Sequence, residues 1–142
     1  MTVATILKNK GADVVSAPAG SSLAAIARLL AEHRIGAVPV VDAQGRLKGI
    51  VSERDVVRVV ARTGPGGLET PVDEVMSRKV MVCTPDDTIY SIMGMMTDNR
   101  IRHLPVVVDD KLVGLISIGD VVKQRIAEVE FEAAAMKRYI TG

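Results

Sequence analysis

One nine-residue pattern occurs twice in the chain, and this internal repeat constrains the fold more than any other feature. Residues 49–57 read GIVSERDVV and residues 114–122 read GLISIGDVV, with glycine, serine, aspartate and two valines at the same spacing. A second pair, IGAVPVV at 35–41 and IRHLPVV at 101–107, repeats at almost the same offset. Because self-similarity at a fixed period marks repeated structural units, the chain is predicted to build one unit twice.

Each repeat contains a helix that is predicted from hydrophobic periodicity. Its apolar residues fall at i, i+3, i+4 and i+7, and they follow a proline and a polar cluster that can cap the helix. These residues are Leu23, Ile26, Ala27 and Leu30 in the first repeat, and Ile89, Ile92, Met93 and Met96 in the second. A shorter apolar pattern upstream predicts a lead-in helix in each repeat, at Val3, Ile6 and Leu7 and at Val72, Val75 and Met76.

Strands are predicted before and after this helix, and a closing helix ends each repeat. A brief strand is expected around Val14 and Val15, and again at Val80 to Val82. Two strands follow the helix, VPVV with LKGIV and then LPVVV with KLVGLI, and the turn-forming DAQGR and DDK between them have hairpin length. Because these strands are apolar at nearly every position, both faces of the sheet should carry helices, which predicts an α/β fold.

The boundary between the repeats lies in the stretch ARTGPGGLETP at 61–71, whose glycine and proline density is typical of a linker. We therefore assign residues 1–63 to the first repeat with its lead-in helix, 64–71 to the linker and 72–124 to the second repeat. Residues 125–142 are predicted to form a C-terminal helical tail.

The tail region carries apolar residues at alternating spacings of four and three, as in the seam of a coiled coil. They are Val122, Ile126, Val129, Ala133, Met136 and Ile140. Two interpretations stay open. Either the helix folds back on its own module, or it packs on a second subunit or another partner.

Composition excludes several classes of function. The chain has 142 residues, of which 48% are hydrophobic and 25% charged, and this suffices for one core. It has 18 basic and 17 acidic residues and only 2% aromatic residues, so nucleic acid would meet neither a basic field nor stacking platforms. No apolar run approaches the roughly 18 residues of a membrane-spanning helix, and the first residues lack the pattern of a signal peptide. A cytoplasmic location is therefore expected.

Catalytic and metal-binding motifs are missing from the sequence. It contains no nucleophile elbow, no P-loop and no dinucleotide-binding glycine turn. His33 and His103 are far apart and Cys83 is the only cysteine, so no zinc or iron site has enough ligands. Cys83 is predicted to be a small core residue, and His33 to favour the C-terminal end of its helix. An enzyme is therefore not expected.

The serine and aspartate of the repeated pattern fit a helix cap. Ser52 and Asp55 stand at S-x-x-D spacing before an apolar helical run, and Ser117 and Asp120 repeat the arrangement. This is the spacing of a capping box, and spacing alone favours that interpretation. A ligand-binding role is compatible with it, because a helix N-terminus also presents free N–H groups and a positive dipole to phosphate.

The whole pattern resembles the cystathionine-β-synthase (CBS) domains, which occur as tandem pairs. The resemblance covers nearly all of the chain and rests on the element order, on IGAVPVVD and IRHLPVVV, and on the signature shared by GIVSERD and GLISIGD. It implies two repeats packed as a pseudo-twofold pair with two clefts, which in the family commonly bind adenine nucleotides or related adenosyl compounds. CBS pairs also commonly dimerise, so the resemblance implies a homodimer.

The resemblance also implies roles for the signature residues. In the family the aspartate accepts hydrogen bonds from ribose hydroxyls, and the serine or threonine lies near ribose or phosphate. Asp55 and Asp120 are therefore the expected ribose ligands, and Ser52 and Ser117 are expected near phosphate.

Arg54, Arg102 and His103 are the candidate cations for phosphate. Arg54 lies inside the first signature, while Arg102 and His103 cluster with Arg100 before the middle strand of the second repeat. An arginine fork suits phosphate oxygens, and a histidine would add pH-dependent charge. The alternative that the arginines are solvated loop residues stays open. His103 replaces Ala37 of the first repeat, where an apolar residue would suffice for structure.

The adenine base is expected in an apolar crevice of one of the two repeats. The crevice lies near Val15, Ala37 and Val38 in the first repeat, or near Val82 and Leu104 in the second. The two clefts should bind unequally, because the second signature has Ile118 and Gly119 where the first has Glu53 and Arg54.

The predicted function is a regulatory sensor of an adenine nucleotide. AMP, ADP, ATP, NAD(H) and S-adenosylmethionine all fit the expectation, and the sequence does not decide among them. The sensor is expected to act on a separate effector protein, because the two repeats leave no residues for an effector domain. The alternative is a structural dimerisation module without a ligand, in which both S-x-x-D elements are only helix caps.

Overall fold

The computed structural model describes residues 1–11 and 13–141 and shows a mixed α/β fold of two similar halves. The helices are α1 Val3–Lys10, α2 Leu23–His33, α3 Glu53–Thr63, α4 Ile89–Asn99 and α5 Ile118–Thr141. The strands are β1 Ala17–Pro18, β2 Ala37–Val41, β3 Leu47–Ser52, β4 His103–Val108 and β5 Lys111–Ser117. Two 3₁₀ turns, Pro65–Glu69 and Val72–Glu74, lie between the halves. The predicted α/β class and the C-terminal helix are confirmed.

The strands form two small sheets that follow the repeat. β2 pairs antiparallel with β3, and β4 pairs antiparallel with β5. Ala37 lies opposite Ser52 and His103 lies opposite Ser117, so the register is the same in both hairpins. The turns of the two hairpins exchange backbone hydrogen bonds, which joins the sheets at that end.

The first short strand of each half lies later than the sequence predicted. β1 covers Ala17–Pro18 instead of Val14 and Val15, and it pairs in parallel with the end of β2. In the second half Cys83 alone bridges to β4, in place of the predicted strand at 80–82. Both predictions were wrong by one to three residues, because the branched residues that suggested them border surface cavities instead of pairing in a sheet.

The middle helix of each half begins and ends with the same local geometry. Ser22 Oγ accepts a hydrogen bond from a backbone N–H of α2 at 3.2 Å, and Thr88 Oγ does so for α4 at 3.1 Å. Both helices end at an arginine in the left-handed region, Arg34 and Arg100, each with φ 53°. The chain thereby turns back into the middle strand in the same way in both halves.

Two apolar cores hold the halves together, and each core takes its lead-in segment from the other half. Val72 and Met76, which follow the linker, are buried in the core of the first half. Val3 and Ile6 of α1 are buried in the core of the second half. Backbone bridges fix this exchange, because each lead-in pairs with the residue that caps the middle helix of the other half. The helix predicted as part of the first repeat therefore completes the second core.

The repeated signature glycine is explained by this exchange. Gly49 in β3 and Gly114 in β5 lie where the lead-in segments cross the strands. A Cβ atom on Gly49 would lie 2.8 Å from the carbonyl oxygen of Ser77. A Cβ atom on Gly114 would lie 2.5 Å from a methyl carbon of Leu7. Glycine at position 49 therefore allows the close approach of a backbone segment, whereas a Cβ atom at position 114 would displace only the end of the Leu7 side chain.

Three segments differ in detail from what the sequence predicted. The linker contains an ordered 3₁₀ turn in which Gly67 is buried, and Leu68 packs against the first core. The second lead-in forms a short 3₁₀ turn where a helix was predicted. α5 continues through the assigned boundary at 125 without a break. Neither α5 nor any other helix of the described residues is apolar enough to cross a membrane.

Candidate functional site

Both serine–aspartate signatures form helix caps. In the first half the Asp55 N–H donates to Ser52 Oγ at 3.3 Å, and Asp55 Oδ2 accepts from the Ser52 N–H at 2.8 Å. In the second half the Asp120 N–H donates to Ser117 Oγ at 3.1 Å, and Asp120 Oδ2 accepts from the Ser117 N–H at 2.9 Å. The capping box that the spacing predicts is therefore present twice. In both aspartates Oδ2 serves the cap, so Oδ1 is the oxygen left for other partners.

A cavity of about 340 Å³, which we call the first cleft, lies beside Asp55. It is lined by Gly36, Ala37, Ile50, Ser52, Glu53, Arg54, Asp55, Ser77, Arg100, Ile101, Arg102 and His103. These residues come from the first hairpin, from the start of α3, from the second lead-in and from the entry to β4. The volume falls within the usual range of small-molecule sites.

The first cleft brings together many of the predicted ligand residues. They are Ser52, Arg54, Asp55, Arg102 and His103, together with Ala37 of the predicted adenine crevice. They belong to segments that are far apart in the sequence, so only the packing of the two halves makes them neighbours.

Positive charge surrounds the N-terminus of α3 in the first cleft. Arg54, Arg100 and Arg102 line the cavity, and the helix adds its N-terminal dipole. Asp55 Oδ1 accepts from Arg58 at 3.4 Å, a long and partly exposed contact that contributes little energy. The arrangement therefore suits a ligand that offers hydroxyl groups to Asp55 and negative charge to the arginines.

His103 lies between the two halves and is partly buried. Its imidazole packs on Gly36, where a Cβ atom would lie 3.4 Å from the ring. Burial lowers the pKa of His103, and Lys10 lowers it further, whereas Asp120 and Glu53 act in the opposite direction. The net shift is downward, so His103 is mainly neutral at pH 7 and serves there as a hydrogen-bonding group more than as a cation.

In the second half, a lysine side chain makes the contact that a backbone N–H makes in the first half. Lys10 Nζ, at the end of α1, donates to Asp120 Oδ2 at 2.8 Å and to the carbonyl oxygen of Leu115 at 2.9 Å. The carbonyl of Ile50, which is equivalent in the repeat, instead accepts the backbone N–H of Ser77 at 2.9 Å. The lead-in helix thus delivers an ammonium group to the aspartate of the second signature.

Lys10 also borders two cavities, which together we call the second cleft. It lines a cavity of about 200 Å³ that includes Val15 and His33, and a cavity of about 240 Å³ that includes Asp120. Partial burial raises the pKa of Asp120, but hydrogen bonds from Lys10 and from the Ser117 N–H outweigh it, so the pKa is lowered. Asp120 is therefore ionised, and Lys10 balances its charge through Oδ2, so Oδ1 is a weaker acceptor for a ligand hydroxyl than the oxygen of an unpaired carboxylate.

Neither of the two predicted adenine crevices forms one surface. Ala37 lines the first cleft, Val15 lines the second, and Val82 lines a third cavity of about 350 Å³. Val38 and Leu104 are fully buried in the first and second core. These two residues therefore offer no surface to a ligand, because they face the helices that cover the sheets.

Sequence reasoning missed several residues that border the clefts. Ile50, Ile101 and Ser77 line the first cleft. Ile50 lies inside the GIVS motif and could have been chosen as an apolar residue next to the signature. Lys10 had no such signal, because its position follows from the exchange of lead-ins, which periodicity does not reveal.

Neither the single cysteine nor any group of potential metal ligands in the described residues offers a reactive site. Cys83 is buried in the second core, and burial, together with the charge of Asp87, raises its pKa to about 12. Its thiol is therefore inert at neutral pH. Within residues 1–11 and 13–141, no three His, Cys, Asp or Glu side chains come close enough to hold a metal ion.

The structure defines a tandem-repeat module with clefts between the repeats. Its two α/β halves exchange their lead-ins, and each half has an aspartate that helps to cap a helix. The chain belongs to the CBS-domain family, because the family model of the CBS domain matches residues 6–62 and again 72–126. The resemblance seen in the sequence is thereby confirmed.

Known proteins with the same architecture extend this assignment. The mitochondrial CBS domain-containing protein CBSX3 of Arabidopsis thaliana is 38% identical over 117 residues, which cover 80% of this chain and 57% of that protein. The chain spans 57%, 66% and 61% of the lengths of three curated relatives that it matches.

Solved structures share the fold over nearly their whole length. The CBS-domain containing protein ATU1752 from Agrobacterium tumefaciens superposes with a TM-score of 0.80 at 43% identity, covering 87% of this chain and 92% of that one. The CBS domain pair of protein MJ0100, solved in complex with 5′-methylthioadenosine and S-adenosyl-L-methionine, gives a TM-score of 0.79 at 25% identity. That match covers 90% of this chain and 98% of the other.

Proposed function

We propose that this chain is a regulatory module that senses an adenosyl ligand in the first cleft and passes the signal to another protein. The observation that carries the proposal is the meeting of two carboxylates, three arginines and a helix N-terminus around one open cavity between the halves. The adenosyl complexes of MJ0100 support this class of ligand for the family fold.

The lining of the first cleft suggests how such a ligand would lie. Asp55 accepts hydrogen bonds from the ribose hydroxyls through the oxygen that the cap does not use. Arg54 and Arg102 bind the negatively charged end of the ligand, next to the N-terminus of α3. Ala37 and Ile50 pack against the purine.

The output of the sensor follows from where the cleft lies. Because both halves contribute to its lining, a bound ligand stabilises one relative arrangement of the halves. We propose that an effector protein distinguishes this arrangement from the ligand-free one. We also propose that the module works as a homodimer, as the family resemblance implies.

A second candidate function rests on a specific observation, the completeness of both capping boxes. Since each S-x-x-D element already satisfies its own helix N-terminus, the signatures have a full structural role without any ligand. On this alternative the chain is a structural dimerisation module, and the first cleft binds no adenosyl compound.

Calorimetric titration separates the two candidates. AMP, ADP, ATP, NAD(H) and S-adenosylmethionine are titrated into the wild type and into Asp55→Asn. We expect one of them to bind with one site per chain, and Asp55→Asn to weaken it at least about tenfold, since a charged hydrogen bond is lost. The fold should persist, because the side-chain oxygen of asparagine at this position can still accept the Ser52 N–H.

Asp120→Asn is the matched control, because it changes the same signature position in the other half. We expect it to leave the affinity of the first cleft within about threefold of wild type. If none of the ligands binds the wild type, and both variants only lower the melting temperature, the sensor proposal fails and the structural alternative stands.

A further inference from the structure

Within the residues that the structure describes, no other element covers the second half of α5. The apolar residues at alternating spacings of four and three, which we call the α5 seam, are Val122, Ile126, Val129, Ala133, Met136 and Ile140. All are exposed, and the exposed fractions of the larger side chains range from 41% at Val122 to 74% at Ile140. The side chains that α5 buries, Val121 and Gln124, lie on a different face. The start of α5 therefore packs on its own module, whereas the seam does not.

Charged residues flank the α5 seam in a regular pattern. If the seam occupies positions a and d of a heptad, Arg125 and Glu132 fall at g, and Glu130 and Lys137 fall at e. In a parallel, in-register pair of helices, a g residue lies close to the e residue about five positions later in the partner helix. Arg125 then meets a glutamate and Glu132 meets a lysine, and the symmetry makes each contact twice.

The same charged residues disfavour an antiparallel pair of α5 helices. The seam spacing is also compatible with an antiparallel pair, in which e faces e and g faces g. That arrangement places Glu130 against the second copy's Glu130, Glu132 against its Glu132, and Lys123 against its Lys137. Like charges at these positions select against antiparallel pairing.

We propose that the α5 seam pairs with the α5 seam of a second copy of this chain, in parallel and in register. This deepens the homodimer proposed above and is independent of the adenosyl ligand. The two modules then lie at the same end of the pair. The start of α5 is held in the second half through Val121 and Gln124, so the helix is nucleated before the tails meet.

The ion pairs that α5 makes within itself are compatible with this pairing. Arg125 contacts Glu128 at 3.0 Å and Glu132 at 3.9 Å on the same helix. The contact with Glu132 is exposed and contributes little, so exchanging it for a carboxylate of the second copy costs little, whereas Glu128 is largely buried and also contacts the N-terminal amine.

Sedimentation equilibrium with charge-swap variants tests the proposal. We expect Glu132→Lys and Lys137→Glu each to weaken the homodimer about tenfold, because each replaces two attractive contacts by two repulsive ones. The double variant E132K/K137E should recover the wild-type dissociation constant. A mixture of the two single variants should form the heterodimer in preference to either homodimer.

Two further variants, each with a matched control at position f, separate pairing of the seam from a general effect on the helix. Met136→Ala removes a seam side chain and should weaken the dimer, whereas Phe131→Ala removes an equally exposed apolar side chain at position f and should not. Ile140→Cys should form an interchain disulfide on oxidation in the parallel pair, while Arg138→Cys, also at f, should not. Cys83 does not interfere, because it is buried and its pKa is about 12.

The outcomes distinguish the two levels of the proposal. A wild type that stays monomeric up to high concentration overturns the homodimer itself. A stable dimer whose dissociation constant ignores the charge swaps, and in which Ile140→Cys does not cross-link, overturns the pairing of the tails and leaves the homodimer to another surface.

Discussion

The two clefts carry the same serine–aspartate signature, but they differ in the group that the lead-in segment places next to the aspartate. In the first, the lead-in passes through Ser77 and pairs with Ile50 by backbone hydrogen bonds, so Asp55 borders an open cavity. In the second, the side chain of Lys10 takes the equivalent carbonyl and also binds Asp120. The repeated motif therefore determines the fold of each half, while the lead-in from the other half determines whether the charge of the aspartate is already balanced by a lysine.

The largest effect on this comparison should come from the signature glycines. Gly49→Ala places a methyl group against a backbone oxygen, whereas Gly114→Ala meets only the end of the Leu7 side chain. We expect Gly49→Ala to cost about 3 kcal/mol of unfolding free energy and Gly114→Ala about 1 kcal/mol. Urea unfolding measures both, and equal losses would show that the two crossings are equally rigid, contrary to the contacts described.

Removing Lys10 should make the second cleft more like the first. In Lys10→Met the carboxylate of Asp120 no longer has its ammonium partner at Oδ2, so Oδ1 becomes a stronger acceptor for a ribose hydroxyl. We expect the weaker second site to gain about fivefold in affinity and to become visible as a second ligand per chain. Calorimetry of the ligand found for the first cleft is the measurement.

Lys8→Met is the control for that experiment, because Lys8 lies on the same helix and is exposed. It should leave both the number of sites and the affinities unchanged. A second site that appears with Lys8→Met as well would trace the effect to net charge and not to the Lys10–Asp120 contact.

Substitution of the two capping serines should separate helix capping, which both signatures share, from ligand binding, which we assign to the first cleft. Ser52→Ala and Ser117→Ala each remove a cap of a similar kind, so each should cost about 1 kcal/mol of unfolding free energy. Only Ser52→Ala should also weaken the ligand, since Ser52 lines the first cleft. Thermal unfolding with and without ligand gives both quantities, and a ligand effect from Ser117→Ala alone would reverse the assignment of the clefts.

The smallest effect should be a change in the unfolding free energy at acidic pH, caused by the titration of Asp120. Because the pKa of Asp120 is lowered below 3.8, the folded state binds its proton less readily than the unfolded chain does. Its stabilising contribution is present above that value and is lost as the pH falls through the lowered pKa. We expect Asp120→Asn to remove this component, amounting to less than about 1 kcal/mol, from urea unfolding at about pH 3 to 6. Lys10→Met should remove much of the same component, and an unchanged pH profile in both variants would contradict the ion pair.

Much of the fold could be predicted from the sequence because its signals are local. The period of Leu23, Ile26 and Leu30 marks a helix that is buried on one face, and the S-x-x-D spacing gave the correct cap in both halves. The short first strands were misplaced, since two-residue pairings leave little periodicity to detect.

The candidate site was less accessible to such reasoning, because it depends on how the halves pack. Asp55 and Arg54 share a motif, but their meeting with Arg102 and His103 was expected only through the family resemblance. Val38 was assigned to the adenine crevice because it is apolar and close in sequence to Ala37, yet adjacent residues of a strand face opposite sides.

The exchange of lead-ins has a consequence for how such a chain could have arisen. A half-length protein consisting of one lead-in and one repeat would leave its core incomplete, but two copies could trade lead-ins and complete both cores as a symmetric dimer. Duplication and fusion would then need only a short connection, such as the residues around Gly67, to turn that dimer into one chain. On this view the clefts began identical, and side chains such as Lys10 are the record of their divergence.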